Sequence, residues 1–324
     1  MFDFGTMIAG AHSIGIGGHT NPDGDCVGAC LGLYNYLLAA YPDKEVTLFM
    51  EQPRRIFDYL KGFEDIVTPE KETNPEMVFD AFVALDCGDM SRLGSAEKYL
   101  EIARETMCID HHISNTGFAR HALIEPGASS TCEILYGLFQ KEYVDAEIAK
   151  CIYTGIIHDT GVFQYSNTSK RTFEIAGELV EHGFDFSSII DFTFYEKTYV
   201  QNQIMGRALL ESILFLDGNC VFSAIDKRTM DFYNVTGADM EGIVNQLRLT
   251  RGVHCAIFMY EKKPMLFKVS LRSDDTVDVA RIASSYGGGG HKRAAGFNMS
   301  GTVHDIINNI SGQIESELKK HECL

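Results

Sequence analysis

Residues 12–40 read HSIGIGGHTNPDGDCVGACLGLYNYLLAA, and this stretch decides the fold class. A short apolar run at 12–18 ends in glycines, and an amphipathic helix is predicted from about Gly24 to Ala40. Further apolar runs, at 46–50, 82–85 and 107–109, predict buried parallel strands. Helical patterns follow at 130–142, 145–161 and 169–182. This alternation predicts an α/β fold in which a parallel sheet carries helices on both faces.

The second half of the chain predicts a smaller α+β domain. Residues 186–215 contain no proline and a single glycine, Gly206, which indicates a helical connector. Two apolar runs, at 254–260 and 265–271, flank a polar turn and predict a hairpin. We therefore predict one domain at 1–185, the connector at 186–215 and a second domain at 216–324. The active site is expected in the cleft between the two domains.

The charge of the chain is acidic and unevenly distributed. The 324 residues carry 28 Lys and Arg against 45 Asp and Glu, a net charge of −17. Residues 1–185 account for −16 of this, whereas the stretch 248–293 carries +5. Proteins that coat long nucleic acids need a basic surface, because phosphate neutralisation supplies most of their affinity. A long duplex is therefore excluded as the expected partner, while short anionic substrates remain open.

Nine cysteines are scattered along the chain without a CxxC pair, which argues against a disulfide framework or a zinc knuckle. Cys26 and Cys30 lie four residues apart on the predicted helix and could share a metal, but small buried thiols are the commoner outcome. The first basic residue is Lys44, and no apolar run reaches the ~20 residues of a spanning helix. We expect a soluble, cytoplasmic protein with no membrane partner.

Acidic and histidine residues follow the predicted elements of the first half. Residues 18–25 read GHTNPDGD, 85–89 read LDCGD, 110–112 read DHH and 157–161 read IHDTG. Open α/β sheets bind ligands outside the carboxyl ends of their strands, so we expect these side chains to converge. Converging carboxylates repel one another unless cations lie between them. A mixed Asp/His set suits Mn²⁺ or a similar divalent ion.

A glycine-rich segment marks the second domain. Residues 285–297 read SYGGGGHKRAAGF, between a helix predicted at 277–285 and a predicted strand. Glycines let the backbone approach a ligand closely, and their N–H groups can form an anion-binding concavity. His291, Lys292 and Arg293 add donors beside it, and Arg272 at the end of a strand could point to the same place. The segment predicts an anion site.

Together these motifs resemble the DHH phosphoesterase superfamily with its DHH-associated C-terminal domain. GHTNPDGD, LDCGD, DHH and IIHDTG, followed by GGGGHKRAAGF, cover nearly the whole chain in order. Within the superfamily the chain most resembles the short, two-domain bacterial branch of oligoribonucleases that are also 3′-phosphoadenosine 5′-phosphate phosphatases. Its motif positions show no departure from the family pattern, so the resemblance implies an active enzyme.

The resemblance implies a pair of Mn²⁺ ions, with Mg²⁺ or Co²⁺ as alternatives. One ion would be held by His19, Asp23 and Asp86, and the other by Asp25, Asp86, His111 and Asp159. Asp86 would then bridge the pair. Asp110 would orient a histidine ligand, His112 would face the substrate phosphate, and Arg92 could reach the reacting phosphate.

The second domain would hold the rest of the substrate. We expect Arg272, His291, Arg293 and the glycines Gly288, Gly289 and Gly290 on a phosphate, with Asn245 or Arg248 on a sugar or base. The expected reaction is hydrolysis of short RNA or DNA oligonucleotides, including the dinucleotide pApA, to nucleoside monophosphates, and of 3′-phosphoadenosine 5′-phosphate to AMP. Activated water would be the nucleophile, because no Ser or Cys lies in a recognisable base-paired motif.

The oligomeric state remains open, and a homodimer is one option. Two alternatives for the function also remain open. A soluble phosphodiesterase specific for pApA would use the same residues. A nucleotide-binding regulator without turnover would keep the binding residues, although the intact ligand sets argue against it. Manganese-dependent inorganic pyrophosphatases carry a Ser-Arg-Lys-Lys-Gln cluster that this sequence lacks. Single-strand DNA exonucleases of the superfamily have an added nucleic-acid-binding domain, for which 324 residues leave no room.

Overall fold

The computed structural model describes residues 4–69 and 77–322. The chain divides into two compact units, Met1–Glu196 and Lys197–Leu324, a division that falls inside the segment 186–215. Among the described residues, no helix is both long and apolar enough to cross a membrane.

The first unit is built on a five-stranded parallel sheet. Its strands are β1 (Ser13–Gly17), β2 (Glu45–Phe49), β3 (Ala81–Leu85), β4 (Glu105–Asp110) and β5 (His121–Ile124). They lie in the order β2-β1-β3-β4-β5, and every pair is parallel. The predicted α/β fold is confirmed. The sequence did not predict β5, because this edge strand is four residues long and only partly buried.

Helices cover both faces of this sheet. They are α1 (Phe4–Ala9), α2 (Gly24–Ala40), α3 (Glu97–Ile102), α4 (Thr131–Leu138), α5 (Ala146–Asp159), α6 (Lys170–Val180) and α7 (Phe186–Ile190). Alternate side chains of β3 enter two separate cores: Val83 packs in the larger one with α2 and α5, and Phe82 in the smaller one with α3. Ser130, Asp145 and Ser169, where the sequence pattern placed helix starts, cap α4, α5 and α6 with their side chains.

Glycines on one face of α2 set its distance from α5. A Cβ atom on Gly28 would lie 2.5 Å from the carbonyl oxygen of Cys151 and 2.9 Å from the amide nitrogen of Gly155. Gly24 and Gly32, one turn to either side, likewise leave no room for a Cβ atom against α5. The two backbones are therefore in direct contact, and the N-terminus of α2 lies beside the C-terminus of α5. We call Gly24, Gly28 and Gly32 the glycine face of α2.

The second unit contains a six-stranded mixed sheet. Its strands are β6 (Ile213–Phe215), β7 (Cys220–Ile225), β8 (Cys255–Lys263), β9 (Leu266–Ser273), β10 (Gly289–His291) and β11 (Ala294–Ser300), in the order β10-β11-β9-β8-β7-β6. Its helices are α8 (Tyr199–Leu210), α9 (Lys227–Tyr233), α10 (Ile243–Arg248), α11 (Val279–Ser284) and α12 (Val303–Glu322). The predicted hairpin is β8–β9, which pairs antiparallel.

The sequence patterns did not predict α12, the longest helix of the second unit. Ile306, Ile310 and Ile314 are buried one turn apart and form its contact with the sheet. Apart from Ile307 and Gly312, the positions between them are polar, so the apolar face of this helix is narrow and easily overlooked. The helix completes one of the two cores that lie on either side of β8.

We predict that Gly28→Ala destabilises the protein by about 1–3 kcal/mol, because the added methyl group must push apart two backbones that are already in contact. Thermal unfolding followed by circular dichroism measures the change. Gly177→Ala is the matched control, since Gly177 lies inside α6 with no atom within 4 Å of the added group. That control should gain up to about 1 kcal/mol, the helix preference for Ala over Gly. Equal melting temperatures for the two variants would contradict the packing argument.

Candidate active site

Six of the predicted metal ligands lie at the ends of elements that meet at one edge of the first sheet. His19 follows β1, Asp86 follows β3 and His111 follows β4. Asp23 caps α2, Asp25 lies in the first turn of that helix, and Asp159 is the last residue of α5. The contact between the glycine face of α2 and α5 brings the two helix ends together. The predicted convergence of these side chains is observed.

Asp86 lies between the two histidines. Its Oδ2 is 3.6 Å from Nε2 of His19, and its Oδ1 is 3.6 Å from Nε2 of His111. The residue is almost fully buried and adopts φ = 57°, a left-handed conformation that is uncommon outside glycine. A strained backbone conformation of this kind persists where the surrounding contacts stabilise it. At Asp86 it directs the carboxylate along the edge of the sheet, between the two histidines. One carboxylate thus faces two separate groups of donors.

Asp25 is held by the N-terminus of α4. Its Oδ2 accepts the backbone N–H of Thr131 at 2.7 Å, and its Oδ1 accepts that of Cys132 at 3.1 Å. The hydroxyl of Thr131 also donates to Oδ1 of Asp86 at 3.1 Å. Burial, together with the charges of Asp86 and Asp159, raises the pKa of Asp25 well above its usual value. The sequence patterns did not identify Thr131, which positions two of the predicted ligands.

Asp159 faces His111, with 3.2 Å between Oδ2 and Nε2. Its carboxylate lies at the C-terminal end of α5, where the helix dipole favours cations over anions. Burial and the nearby carboxylates of Asp86 and Asp23 raise the pKa of Asp159 to about 8. A positive charge at this point would remove the repulsion.

The His19 ring faces two carboxylates. Its Nδ1 is 2.8 Å from the carbonyl oxygen of Thr20, and its Nε2 faces Oδ1 of Asp23 at 3.7 Å and Oδ2 of Asp86. Burial would lower the pKa of His19, but hydrogen bonding to these two carboxylates outweighs it and raises the pKa. A cation bound at Nε2 would neutralise these two carboxylates, as a proton on Nε2 does.

Three groups of side chains among the described residues place their donor atoms within 4.8 Å of one another. They are His19 with Cys26 and Asp86, Asp86 with His111 and His112, and Asp25 with His111 and Asp159. Carboxylate and imidazole donors of this kind suit divalent ions such as Mn²⁺ and Mg²⁺ on the oxygen-rich side and Zn²⁺ or Co²⁺ on the nitrogen-rich side. The residues present therefore fit divalent metal ions.

Asp110 holds the ring of His112. Its Oδ1 is 2.7 Å from Nδ1 of His112, and its Oδ2 accepts from Nδ2 of Asn115 at 2.7 Å. Burial alone would raise the pKa of Asp110, but these two hydrogen bonds outweigh it and lower the pKa. The bond from Asp110 in turn raises the pKa of His112 to about 9.

The resemblance implied that Asp110 orients a histidine ligand, and the ring that Asp110 holds is that of His112. To His111 it gives only an acceptor for the backbone N–H, at 2.8 Å. His112 is half exposed and protonated at neutral pH, so it presents a positive charge beside Asp86. Asn115, which also donates to the carbonyl oxygen of Cys87, was not predicted from the sequence.

Arg92 lies at the rim of the same site. Its Nη2 is 3.1 Å from Nδ1 of His19, and its carbonyl oxygen accepts the N–H of Thr20. The side chain is exposed, so the guanidinium group has further N–H donors that face solvent.

In the second unit the structure brings Arg272 and Asn245 together. Nε of Arg272 donates to Oδ1 of Asn245 at 2.8 Å, and both side chains lie at the surface. Arg248 has a different environment: its Nη1 donates to the carbonyl oxygen of Val253, and its half-buried side chain ties the end of α10 to the loop that follows. Of these three predicted substrate residues, Arg272 and Asn245 form one polar group.

Arg272 belongs to a row of side chains across the second sheet. In the antiparallel register His291 pairs with Ala294, and Ala294 pairs with Arg272, so all three side chains lie on one face. Lys268 and Ser270 lie on the same face of β9, and with Arg272 they line a cavity of about 290 Å³. Lys268, Ser270 and Arg272 occupy every second position of β9, which indicates that they share one face. Of these three residues, the sequence patterns identified only Arg272.

The glycine run forms a strand edge instead of an open loop. Gly289 and Gly290 pair with β11, and the N–H of Gly288 donates to the carbonyl oxygen of Ala283 at 3.0 Å. A Cβ atom on Gly288 or Gly290 would lie within 2.4 Å of a carbonyl oxygen of β11. Close packing against β11 therefore requires these two glycines, and part of their N–H capacity is used within the fold. Arg293 forms an ion pair with Asp275.

Comparison with known proteins is consistent with this arrangement. A family model described as DHH family, N-terminal domain, matches residues 13–156, and the DHHA1 domain matches residues 217–320. The bifunctional oligoribonuclease and PAP phosphatase NrnA of Thermus thermophilus is 30% identical over 87% of this chain and 83% of its own length. The chain belongs to the DHH family. The prediction of a DHH-family phosphoester hydrolase with a DHH-associated C-terminal domain is confirmed.

Two further comparisons span most of the chain. The protein of the same description from Bacillus subtilis is 25% identical over 94% of each sequence. The crystal structure of an exopolyphosphatase-related protein from Bacteroides fragilis matches with a TM-score of 0.86 at 26% identity, covering 98% of this chain and 95% of that chain.

We predict that the metal-free protein loses stability as the pH rises from 5 to 8. The pKa of Asp159 is about 8 in the folded chain against its ordinary 3.8, so its stabilising contribution is complete below the ordinary value and is lost as pH rises through 8. Asp159→Asn should therefore be more stable than the wild type at pH 8, by at least about 1.4 kcal/mol, the value of one pKa unit.

Urea unfolding of chelator-treated protein at pH 5, 6, 7 and 8 measures this effect. Adding Mn²⁺ should stabilise the wild type most at pH 8 and should stabilise Asp159→Asn less. Identical pH profiles for the two metal-free proteins would refute the placement of Asp159 in a repulsive cluster.

Proposed function

We propose that this chain is a divalent-metal-dependent phosphoesterase, with two Mn²⁺ ions per chain, that hydrolyses short oligonucleotides to nucleoside monophosphates. We include 3′-phosphoadenosine 5′-phosphate, hydrolysed to AMP, among its substrates. The observation that carries the proposal is the position of Asp86, whose two oxygens face His19 on one side and His111 on the other. A shared carboxylate between two donor groups is what a pair of metal ions requires.

The metal ions would be held by His19, Asp23 and Asp86 on one side, and by Asp25, Asp86, His111 and Asp159 on the other. When bound, such ions supply Lewis-acid chemistry, because they withdraw charge from phosphoryl oxygens and make water more acidic. The chain's own residues fix the donors: Thr131 holds Asp25 and Asp86, and the Thr20 carbonyl contacts Nδ1 of the His19 ring.

His112 and Arg92 would bind the reacting phosphate. The pKa of His112, raised to about 9 by Asp110, keeps the ring protonated at neutral pH, so its free N–H can donate to a phosphoryl oxygen or to the leaving oxygen. Asn115 keeps Asp110 in place, so the charge of His112 is supported through two hydrogen bonds. Arg92 adds exposed N–H donors beside His19.

The second unit would bind the part of the substrate that does not react. Arg272, His291 and Lys268 lie on one face of its sheet and can neutralise a phosphate, while Asn245 accepts from Arg272 and offers its amide N–H groups to a sugar or base. Gly288, Gly289 and Gly290 keep the backbone beside His291 free of side chains. Arg248 and Arg293 would contribute less, since the side chain of Arg248 is half-buried beside the loop that follows α10 and the charge of Arg293 is neutralised by Asp275.

The names of the DHH relatives support this substrate class, since the proteins from Thermus thermophilus and Bacillus subtilis are both described as oligoribonuclease and PAP phosphatase. A phosphodiesterase confined to pApA is the second candidate, because it would use the same donors. We place the activity in the cytoplasm, in keeping with the eight cysteines of the described residues, which are buried and free, since free cysteines persist as thiols in reducing compartments.

We predict that kcat/KM is highest for substrates of two to a few nucleotides and falls with length. Additional phosphates gain few contacts and are repelled by a chain of net charge −17. The measurement is Mn²⁺-dependent hydrolysis of di- to decanucleotides, 3′-phosphoadenosine 5′-phosphate, pApA and pyrophosphate at fixed ionic strength. Asp86→Ala is the control and should show no turnover.

A length profile that stays flat would overturn this preference and indicate a processive exonuclease. Turnover of pApA alone would select the narrower candidate. Nucleotide binding without turnover of any substrate would indicate a regulator.

We predict that Arg272→Ala raises KM at least about tenfold, as expected for the loss of a charge-assisted hydrogen bond, and leaves kcat within a few-fold. Metal content should not change. Arg228→Ala, which removes an exposed arginine of the same unit at α9, controls for the change in net charge and should leave KM unaltered. A fall in metal content with a constant KM would contradict the role given to Arg272.

A further inference from the structure

One of the three donor groups contains sulfur. Cys26 lies in the first turn of α2 and is fully buried, and its Sγ accepts the backbone N–H of His19 at 3.2 Å. Its Sγ, a ring nitrogen of His19 and a carboxylate oxygen of Asp86 all lie within 4.8 Å of one another. Ligands that are 2.0–2.3 Å from one ion can be at most about 4.5 Å apart, so the three donors are grouped almost as closely as metal ligands are.

The backbone makes room for this sulfur atom. A Cβ atom at Gly18 would lie 2.5 Å from Sγ of Cys26, so only glycine at that position lets the thiol stand against the strand end that carries His19. On the other side of the thiol, Oδ1 of Asp23 accepts the backbone N–H of Cys26 at 3.1 Å and holds this residue in place. The thiol is thus positioned by contacts on both sides of the donor group.

The donor group on the other side of Asp86 is different in kind. It consists of Asp25, His111 and Asp159, and its donor atoms are oxygen and nitrogen. Carboxylate oxygens suit hard ions such as Mn²⁺ and Mg²⁺, whereas a thiolate selects softer ions such as Zn²⁺ and Co²⁺. The two halves of the site therefore differ in the ions that they favour.

We propose that Cys26 is a metal ligand in the His19–Asp86 half of the site, and that this half takes up a thiophilic divalent ion such as Zn²⁺ or Co²⁺ in preference to Mn²⁺. On binding, the thiol gives its proton to solvent and the sulfur forms the bond to the metal. The proposal rests on the proposed function only for the presence of a metal centre, in which this ion would take the place of one of the two Mn²⁺ ions, and it holds whatever the substrate is.

Co²⁺ titration of the metal-free protein tests the proposal without measuring activity. Thiolate ligation gives Co²⁺ an intense near-ultraviolet charge-transfer band that oxygen and nitrogen ligands do not give. We expect the band in the wild type and in Cys30→Ala, a matched variant that removes a buried thiol one turn away on α2. We expect no band in Cys26→Ala or Cys26→Ser.

Cys26→Ser separates ligation from packing, because its hydroxyl can still accept the N–H of His19. Far-ultraviolet circular dichroism identifies any variant that does not fold, and the serine variant carries the test if the alanine variant fails to fold. Competition between ions gives a second readout. Cys26→Ser should lose Zn²⁺ affinity by about tenfold or more, while its Mn²⁺ affinity changes by less than about threefold.

Bound Co²⁺ without a charge-transfer band in the wild type, or a band that persists in Cys26→Ala, would overturn the assignment of Cys26. Failure to hydrolyse any nucleotide in the presence of a clear band would instead overturn the proposed function and leave this assignment intact. Failure of the wild type to bind Co²⁺, Zn²⁺ or Mn²⁺ would remove the metal centre altogether, and the role of Cys26 with it.

Discussion

Electrostatic repulsion among carboxylates is the constraint on which the rest of the site depends. Asp23, Asp25, Asp86 and Asp159 are gathered at one edge of a sheet, and the pKa values of Asp25 and Asp159 are raised by burial and by the neighbouring carboxylates, of which Asp86 has the largest effect on both. No single local interaction would assemble such a group, so the fold must hold it. Parallel strands deliver Asp86, two helix ends deliver Asp25 and Asp159, and the N–H groups at the start of α4 stabilise Asp25.

Much of this could be predicted from the sequence, because the ligand-bearing motifs are local. A strand followed by Asp86 or by His111, and a helix that begins after Asp23, are visible as short patterns, and in a parallel sheet such ends share one edge. Thr131 and Asn115 gave no such signal. Each is an ordinary polar residue whose function depends on which element packs against it, and α4 meets Asp25 only in the folded chain.

The second unit shows the same limit. The glycine run suggested an anion-binding concavity, but Gly289 and Gly290 pair with β11 in a tight hairpin, and glycines carry no side-chain pattern that would indicate a strand. Arg293 gave the signal of a free cation, yet its guanidinium group pairs with Asp275. Arg272 was identified because the end of a strand is a local feature, whereas Lys268 became recognisable only when its face of the sheet was known.

The glycine face of α2 fixes the distance between the two helices that carry Asp25 and Asp159. Since backbone contacts backbone at Gly28, no side-chain rotamer can alter the spacing between α2 and α5. Asp25 and Asp159 are fixed to the ends of these helices, and the separation of their backbones therefore follows from covalent geometry and van der Waals radii. The distance between the two helix ends is in that sense written into three residues that have no side chains.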